Sequence, residues 1–350
     1  MLNKLLNHPL FQAIAPYQSF QETPLGFIDI GARGGIHPLV EPLAGVTGIL
    51  GFEPDAEECV RMRQELGTKS PWAVWDVEPC ALAETTGDAT LYRFNTPTND
   101  SLRPANQKMV DRYNVKTLTP IGTLPLQTTT LDEVIWQRRS QENFWGEFIK
   151  IDTQSTEYEV LQGSIRTLND RTIALFIEVE FMQMYQDQRL FADVEIFLRQ
   201  YGFSCFGFHS LHHRSGKQLD KTQQIGRERA WWADAVFFKD PLAGNSWSKP
   251  ISERETYVLF SCAMLLGYYD FALELALKTW ATGAEAERVK ELVFSYAAIP
   301  PETTVNEVKD LSQKVQAHPE LANIITGHFV DRRRGNSDYD DVILSYLDKI

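Results

Sequence analysis

Two stretches near the N-terminus, FIDIGARGG (Phe27–Gly35) and GILGFEPD (Gly48–Asp55), decide the fold. In the first, an apolar run reaches Asp29 and a glycine-rich turn follows. In the second, another apolar run ends at Glu53, 22 positions after Gly31. This order is typical of the first β-α-β unit of a nucleotide-binding α/β domain, in which glycines let the backbone approach a ligand and the acid accepts hydrogen bonds from ribose hydroxyls.

The spacing of the glycines separates two classes of cofactor. A dinucleotide-binding turn has glycine at its first, third and sixth positions, but counted from Gly31 the third position is Arg33 and the sixth is Ile36. An arginine side chain there would obstruct a pyrophosphate. Asp29, two residues before the first glycine, suits a ligand with a cationic amine beside its ribose. S-adenosylmethionine is such a ligand, and the spacing therefore favours it over a nicotinamide cofactor.

Composition excludes several further classes of protein. The 350 residues are 43% hydrophobic and carry a formal charge of −13, so the chain lacks the basic footprint of a general nucleic-acid binder. Its four cysteines form no CxxC pair, which predicts free thiols in a reducing compartment. No apolar run has the length of a membrane span, and the N-terminus lacks the features of a signal peptide. These observations predict a cytoplasmic protein with no nucleic-acid partner.

The order of apolar and polar segments predicts an α/β architecture. Strands alternate with helices, which implies a parallel sheet with both faces covered. A hairpin is predicted with its turn at Gly87-Asp88, followed by a long loop over Thr96–Leu126 that is suited to ligand binding. Further strands are predicted at Glu147–Ile151, Ala174–Glu180, Phe203–Phe208 and Asp234–Phe238, and helices at Ile36–Gly45, Thr156–Leu168 and Leu190–Tyr201.

Three regions are predicted along the chain. Residues 1–22 form a short helix that stops near Pro16, residues 23–245 form the α/β domain, and residues 246–350 are helical. The helical region carries an apolar aromatic face, which predicts a homo-oligomer formed through these helices. The aromatic residues of that face are Tyr257, Phe260, Tyr268, Tyr269 and Phe271.

Several motifs together resemble the FkbM family of S-adenosylmethionine-dependent methyltransferases. They are DIGARGG, GFEPD, ALAETTGDATLYRF, TTTLDEVI and FIKIDTQSTEYEVLQGS, and the resemblance spans roughly residues 24–240. The chain departs from the family pattern at Arg33, where asparagine is usual, and at Ser155, where glycine is usual. The resemblance implies a class I methyltransferase fold, which is a Rossmann-like doubly wound sheet, here with a C-terminal all-helical appendage. It also implies O-methylation of a hydroxyl on a sugar, a glycan precursor or a secondary metabolite.

The cofactor site is expected at the carboxyl ends of the strands, where ligands bind in doubly wound sheets. Asp29 and the backbone of the glycine turn would hold the methionine portion, and Glu53 would hold the ribose. The resemblance places Ala81 and Leu82 against the adenine. The predicted cofactor-binding residues are Asp29, Gly31, Ala32, Arg33, Gly35, Glu53, Ala81 and Leu82.

Acids at the ends of two later strands are the candidates for chemistry on the acceptor. Asp152 directly follows a buried strand and could accept the proton of the acceptor hydroxyl, or else cap the next helix. Glu178 is predicted as a second catalytic residue. Both acids could ligate Mg²⁺, but acids on adjacent strands often only support a site, so no metal is favoured. Substrate contacts are predicted for Asn99, Ser101 and Glu180.

Two other classes of function remain open at this point. One is a nicotinamide-dependent oxidoreductase, which Arg33 and Ile36 disfavour. The other is a catalytically degenerate methyltransferase fold that serves as a binding or scaffold protein. Ser155 and the repeat-like C-terminal helices favour that alternative.

Overall fold

A computed structural model describes residues 1–67, 70–244 and 250–333. The strands in chain order are β1 (Leu25–Ile30), β2 (Thr47–Phe52), β3 (Val74–Glu78), β4 (Ala81–Leu82), β5 (Gly87–Phe94), β6 (Pro120–Thr129), β7 (Phe148–Ile151), β8 (Ala174–Glu180), β9 (Ser204–Arg214) and β10 (Arg229–Phe238). The helices are α1 (Pro9–Gln12), α2 (Ala15–Glu22), α3 (Ala56–Leu66), α4 (Gln107–Tyr113), α5 (Leu131–Glu133), α6 (Glu157–Gln162), α7 (Ile165–Asp170), α8 (Phe191–Arg199), α9 (Glu253–Leu266), α10 (Tyr269–Thr279), α11 (Gly283–Ala297), α12 (Pro301–Ala317) and α13 (Ala322–Arg333).

A seven-stranded sheet with the order β3-β2-β1-β7-β8-β10-β9 organises the chain. The first five of these strands are parallel, and β10 is antiparallel to β8. The doubly wound sheet is therefore confirmed, but the expectation of an all-parallel sheet is wrong at β10. The strand order reverses between β1 and β7, so the carboxyl ends of these two strands border the crevice where such sheets bind ligands. A separate three-stranded sheet has the order β4-β6-β5.

Side chains alternate between the two faces of the large sheet, as the period of a strand requires. Phe27 and Phe148 pack on one face, into a core shared with α1, α2 and α9–α11. Ile28 and Ile149 pack on the other face, with α6–α8. Both faces of a parallel sheet are thus buried, which is the arrangement that such sheets need.

The predicted C-terminal helices are present, and α9–α11 form part of the main core rather than standing apart from it. In α9, Phe260 is fully buried, and Tyr257 is 9% exposed. Tyr268, Tyr269 and Phe271 are partly buried against the same core. The rings that suggested self-association are therefore used inside the protomer, and the homo-oligomer stays a prediction.

Contacts divide the chain into two compact units. The first comprises residues 1–214 and 230–297, and the second comprises residues 215–229 with the described residues from 298 onward. The boundary predicted between residues 245 and 246 lies outside the described residues. Within the described parts of the chain, no helix has the length and apolar character of a membrane span.

Two local predictions near the N-terminus and in the middle of the chain are wrong. Pro16 does not end the N-terminal helix, because it lies in the first turn of α2, where proline is favoured. The expected hairpin at Gly87-Asp88 is absent, because β5 pairs antiparallel with β6, about thirty residues further along the chain. Local sequence does not reveal a partner so distant.

The helix expected over Thr156–Leu168 is divided at Gly163 into α6 and α7. A β-carbon at Gly163 would lie 2.1 Å from the Ala83 carbonyl oxygen, which is closer than van der Waals contact allows. Asp132 then accepts hydrogen bonds from the Arg166 and Thr167 amides. The glycine therefore permits a close backbone contact, and the second helix is capped from outside.

Candidate functional site

A cavity of about 370 Å³ lies at the reversal point of the sheet. The glycine turn after β1, the end of β2, and the turn after β7 all line it. Residues of the long loop, from Pro97 to Leu102, contribute to its lining as well. The sequence placed its candidates at these same strand ends, and the fold brings most of them to one cavity.

The turn after β1 needs glycine for two separate reasons. Gly31, Gly34 and Gly35 have φ values of +81°, +89° and +117°, which glycine adopts without steric cost. A β-carbon on Gly31 would also lie 1.8 Å from the Asp152 carbonyl oxygen. The backbone of β1 therefore meets the backbone after β7 directly, and this contact positions Asp152 beside the turn.

A buried lysine lies between Asp29 and Asp152. Lys150 Nζ lies 3.2 Å from Asp29 Oδ1 and 3.8 Å from Asp152 Oδ2. It also donates to the Gly31 carbonyl oxygen at 3.2 Å. Burial alone would lower the pKa of Lys150, but the carboxylates of Asp29 and Asp152 outweigh it and raise the pKa. Lys150 is therefore charged and holds the two acids in fixed positions. A polar residue inside the apolar strand FIKI is the signal for it.

Asp29 contacts both Lys150 and the backbone that follows the glycine turn. Its Oδ2 accepts a hydrogen bond from the His37 amide at 2.8 Å. The Asp29 carboxylate is fully buried. The contacts with Lys150 and the His37 amide therefore offset the cost of removing its charge from water. Asp29 thus fixes the two ends of the glycine turn relative to β1 and β7.

Arg33 points to the ribose end of the predicted cofactor site. Its guanidinium lies 3.4 Å from Glu53 Oε1 and 3.2 Å from Asp55 Oδ2. Glu53 Oε1 also accepts from the Asp55 amide at 2.9 Å, so Arg33 and the Asp55 amide contact the same carboxylate oxygen. Burial raises the pKa of Glu53 to about 7, although the Asp55 amide and Arg33 both oppose this rise.

The amide of Gln154 connects the two predicted catalytic acids. Its Nε2 donates to Asp152 Oδ1 and to Glu178 Oε2, each at 2.8 Å. Its Oε1 lies 3.2 Å from the Tyr185 hydroxyl. Asp152 lines the cavity, whereas Glu178 lies behind Gln154 and is not part of the lining. Sequence reasoning did not identify Gln154 or Tyr185, because several of their partners come from distant segments.

The alternative role of Asp152 as a helix cap is not what the geometry shows. Thr156 occupies the position before α6. Glu157 Oε1 accepts from the amides of Thr153 and Ser155 at 2.8 and 3.2 Å, so Glu157 satisfies the turn. Asp152 is therefore free to face the cavity.

The acids around this turn form a candidate cation site. One oxygen each from Asp152, Glu157 and Glu178 lie within 4.8 Å of one another. Burial raises the pKa of Glu157 to about 7, and burial with the nearby Asp152 carboxylate raises that of Glu178 well above its usual range. Gln154 donates to Asp152 and Glu178, and the Thr153 and Ser155 amides donate to Glu157, so groups of the protein itself stabilise these carboxyls. The prediction that no metal is required stays a prediction.

The remaining predicted residues fall into two groups. Ala81 and Leu82 line the cavity, as does Ser101. Ala32 packs against Cys59 and Met62 instead. Asn99 and Glu180 are also outside the lining.

Asn99 and Glu180 lie outside the cavity lining because they contact other parts of the protein. The backbone oxygen of Asn99 accepts from the Tyr185 hydroxyl at 3.1 Å. Glu180 is 5% exposed, and its burial raises its pKa well above the usual range. The roles of Asn99 and Glu180 in substrate binding stay predictions.

Comparison with models of known protein families identifies one family. The sequence matches the family described as the methyltransferase FkbM domain over residues 29–205, just over half of the chain. No curated protein matches it. The region of the family match contains both the glycine turn and the turn that carries Asp152.

Two solved structures are similar to the chain. One is a methyltransferase FkbM from Methylobacillus flagellatus KT, with 15% identity, a TM-score of 0.35, and coverage of 61% of this chain and 43% of that one. The other is Sp1610 from Streptococcus pneumoniae, assigned as a tRNA (m1A22) methyltransferase, with 10% identity, a TM-score of 0.31, and coverage of 80% and 99%. The chain thus spans less than half of the first structure's length, and neither likeness carries an argument about substrate.

Proposed function

Because the chain belongs to the FkbM methyltransferase family, we propose that it transfers a methyl group from S-adenosylmethionine to a hydroxyl of a sugar, a glycan precursor or a secondary metabolite. The observation that carries the proposal is the shared cavity, which is lined by the glycine turn, Glu53 and Asp152. The acceptor class rests on the family resemblance alone.

The residues around the cavity fit this cofactor. Its volume of about 370 Å³ lies within the range of ligand pockets, roughly 300–1,000 Å³. Glu53 would accept from a ribose hydroxyl, and Ala81 and Leu82 offer an apolar surface to an adenine ring. Asp29 and Lys150 occupy the opposite end, where the amino acid portion would lie. Arg33 stands where a dinucleotide-binding turn has its second glycine. Its side chain forms ion pairs with Glu53 and Asp55 at the ribose end of the proposed site.

The chain's own task in such a reaction is to position the acceptor and to remove its proton. When bound, S-adenosylmethionine supplies a methyl group already activated by its sulfonium. Positioning then accounts for most of the rate, and a base adds about 10²–10⁴-fold. Asp152 lines the cavity, and Gln154 and Lys150 orient its carboxylate. We assign Asp152 the role of the base that accepts the proton of the acceptor hydroxyl.

Ligand binding tests the cofactor directly. S-adenosylhomocysteine is expected to raise the melting temperature, whereas NADH is not. A ligand at 100 times its dissociation constant stabilises a protein by about 2.7 kcal/mol, which corresponds to several degrees. Thermal-shift assays with both ligands, on the wild type and on Glu53→Ala, make the comparison. No response to millimolar S-adenosylhomocysteine would contradict the proposal, and binding without turnover on any saccharide would favour the scaffold alternative.

The pH dependence of binding tests Glu53. Its pKa is raised to about 7 in the free protein, and a ribose hydroxyl donates to the ionised form. Binding therefore releases a proton, so affinity is expected to rise with pH and to level off above about 7. Below this pH the dissociation constant should increase by up to about tenfold per pH unit.

Calorimetry from pH 5.5 to 8.5 measures this profile, and Glu53→Gln is the matched control because it cannot ionise. A flat profile in the wild type, or an unchanged slope in Glu53→Gln, would remove Glu53 from the cofactor site. His37 also lines the cavity, but burial lowers its pKa, so its titration falls at lower pH and persists in the control.

A further inference from the structure

The turn after β7 holds two residues in an unfavourable backbone conformation. Gln154 and Ser155 have φ values of +58° and +100°, a region that residues with a β-carbon rarely adopt. Ser155 is also 1% exposed. Glycine would remove the strain, so the serine side chain must contribute something that glycine cannot.

The hydroxyl of Ser155 forms a hydrogen bond with a serine from the long loop. Ser155 Oγ lies 3.0 Å from Ser101 Oγ. Ser101 Oγ lies 2.6 Å from the Gln154 carbonyl oxygen and accepts from the Arg103 amide at 3.0 Å. A carbonyl oxygen can only accept, so Ser101 donates its single proton to Gln154. Ser155 must therefore be the donor in the contact between the two hydroxyls, which we call the serine bridge.

The serine bridge is buried. Ser101 is 1% exposed, and its hydroxyl uses one donor and two acceptor positions within the protein. The loss of the Ser101 hydroxyl would leave the buried Ser155 hydroxyl without this partner, and the loss of the Ser155 hydroxyl would leave one acceptor position of Ser101 unfilled. Ser101 has no remaining capacity to bind an acceptor with its hydroxyl.

The serine bridge joins two walls of the same cavity. One wall is the loop segment that includes Thr98, Asp100 and Leu102, and the other is the turn that carries Asp152. Tyr185 makes a second connection, because its hydroxyl lies within 3.2 Å of both the Asn99 carbonyl oxygen and Gln154 Oε1. The distance between the loop and Asp152 therefore depends on these hydroxyl contacts.

We propose that Ser155 is a positioning residue, whose hydroxyl holds the loop from Pro97 to Leu102 against the turn that carries Asp152. The inference rests on the proposed function, since this loop would form the acceptor side of the cavity. It gives the strained serine a role that neither alanine nor glycine could take. It also assigns Ser101 to the support of the loop rather than to contact with substrate.

Two substitutions at the same position separate the hydroxyl from the strain. Ser155→Ala removes the hydroxyl and keeps the strain, whereas Ser155→Gly removes both. Both variants are expected to increase hydrogen exchange of the Arg103 amide region, residues 97–103, on the order of tenfold, which corresponds to one buried hydrogen bond. Ser155→Gly is expected to melt above Ser155→Ala, because only glycine relieves the positive φ.

Kinetics supply a readout that a structural role alone would not move. With a saccharide that supports turnover, both variants are expected to raise the KM for the acceptor, while the affinity for S-adenosylhomocysteine stays unchanged. Ser164→Ala is the matched control, since that buried hydroxyl donates to the Val160 carbonyl oxygen within its own helical turn and should leave exchange at 97–103 unaltered.

Exchange at residues 97–103 that is unchanged in Ser155→Ala would overturn the inference. An equal loss of cofactor affinity in both variants would also overturn it, because the serine would then act on the whole site. If the wild type fails to bind S-adenosylhomocysteine, the proposed function falls, but the exchange measurement still decides whether the serine bridge holds the loop.

Discussion

Replacing Asp152 by asparagine is expected to lower turnover by about 10²–10⁴-fold, the contribution of a positioned base, with little change in cofactor affinity. Asparagine keeps the shape of the side chain and an oxygen that can accept from Gln154 Nε2. It cannot take the proton of an acceptor hydroxyl. The loss should therefore appear in kcat, because the residues at the ribose end of the cavity are unchanged.

Two control variants make this result specific. Glu178→Gln alters a carboxyl that lies behind Gln154 rather than in the cavity lining, so a smaller loss of turnover is expected. Glu57→Gln alters an exposed acid in the first turn of α3 and should have no effect. Release of S-adenosylhomocysteine with a saccharide acceptor measures turnover. Wild-type turnover in Asp152→Asn would return Asp152 to a purely structural role.

Replacing Arg254 by methionine is expected to reduce the free energy of unfolding by up to about 3–5 kcal/mol, the cost of leaving a buried carboxylate, here Glu147, without its charged partner. Arg254, in α9, lies 2.6 Å from Glu147 Oε1 and 3.0 Å from Oε2. It also donates to the carbonyl oxygens of Thr23 and Pro24 at 3.1 and 2.8 Å. Burial raises the pKa of Glu147 and Arg254 opposes that rise, so the arginine offsets part of the desolvation penalty.

Urea unfolding measures this loss, and a second substitution tests its cause. The double variant Glu147→Gln/Arg254→Met removes the uncompensated charge and should recover part of the stability. Arg199→Met is the matched control, because its partner Glu195 lies one turn away on the surface of α8 and such pairs contribute about 0–1 kcal/mol. A loss in Arg254→Met no larger than that of the control would show that the pair behaves like a surface pair.

Arg254 also shows where sequence reasoning about the C-terminal helices stopped. The change of pattern after Asp240 predicts helices correctly, because apolar spacing is a local property. It does not reveal that α9 lies against β7 and the segment before β1, since the contact between Arg254 and Glu147 joins residues more than one hundred positions apart. The aromatic face of the C-terminal helices was therefore predicted to form an oligomer surface, although its rings pack in or against the core of the protomer.

The positions of the residues proposed to bind the cofactor were largely predictable. Gly31, Gly35, Asp29 and Glu53 occupy fixed positions within one β-α-β unit, and the geometry of that unit brings them to the ends of β1 and β2. The residues proposed for the acceptor side were less predictable. Asp152 was identified from the end of its strand, but Gln154 and Tyr185 became part of the site only through folding.

By itself, the sequence determined the alternation of strands and helices, the glycine turn, and the acids that end the strands, because all three depend on the intrinsic geometry of short segments. Only the tertiary structure decided that Arg33 pairs with Glu53 and Asp55, and that Lys150 lies between Asp29 and Asp152. It also decided that Ser155 meets Ser101. Each of these contacts depends on the direction of a side chain within a packed core, which is fixed by the neighbours that folding brings together.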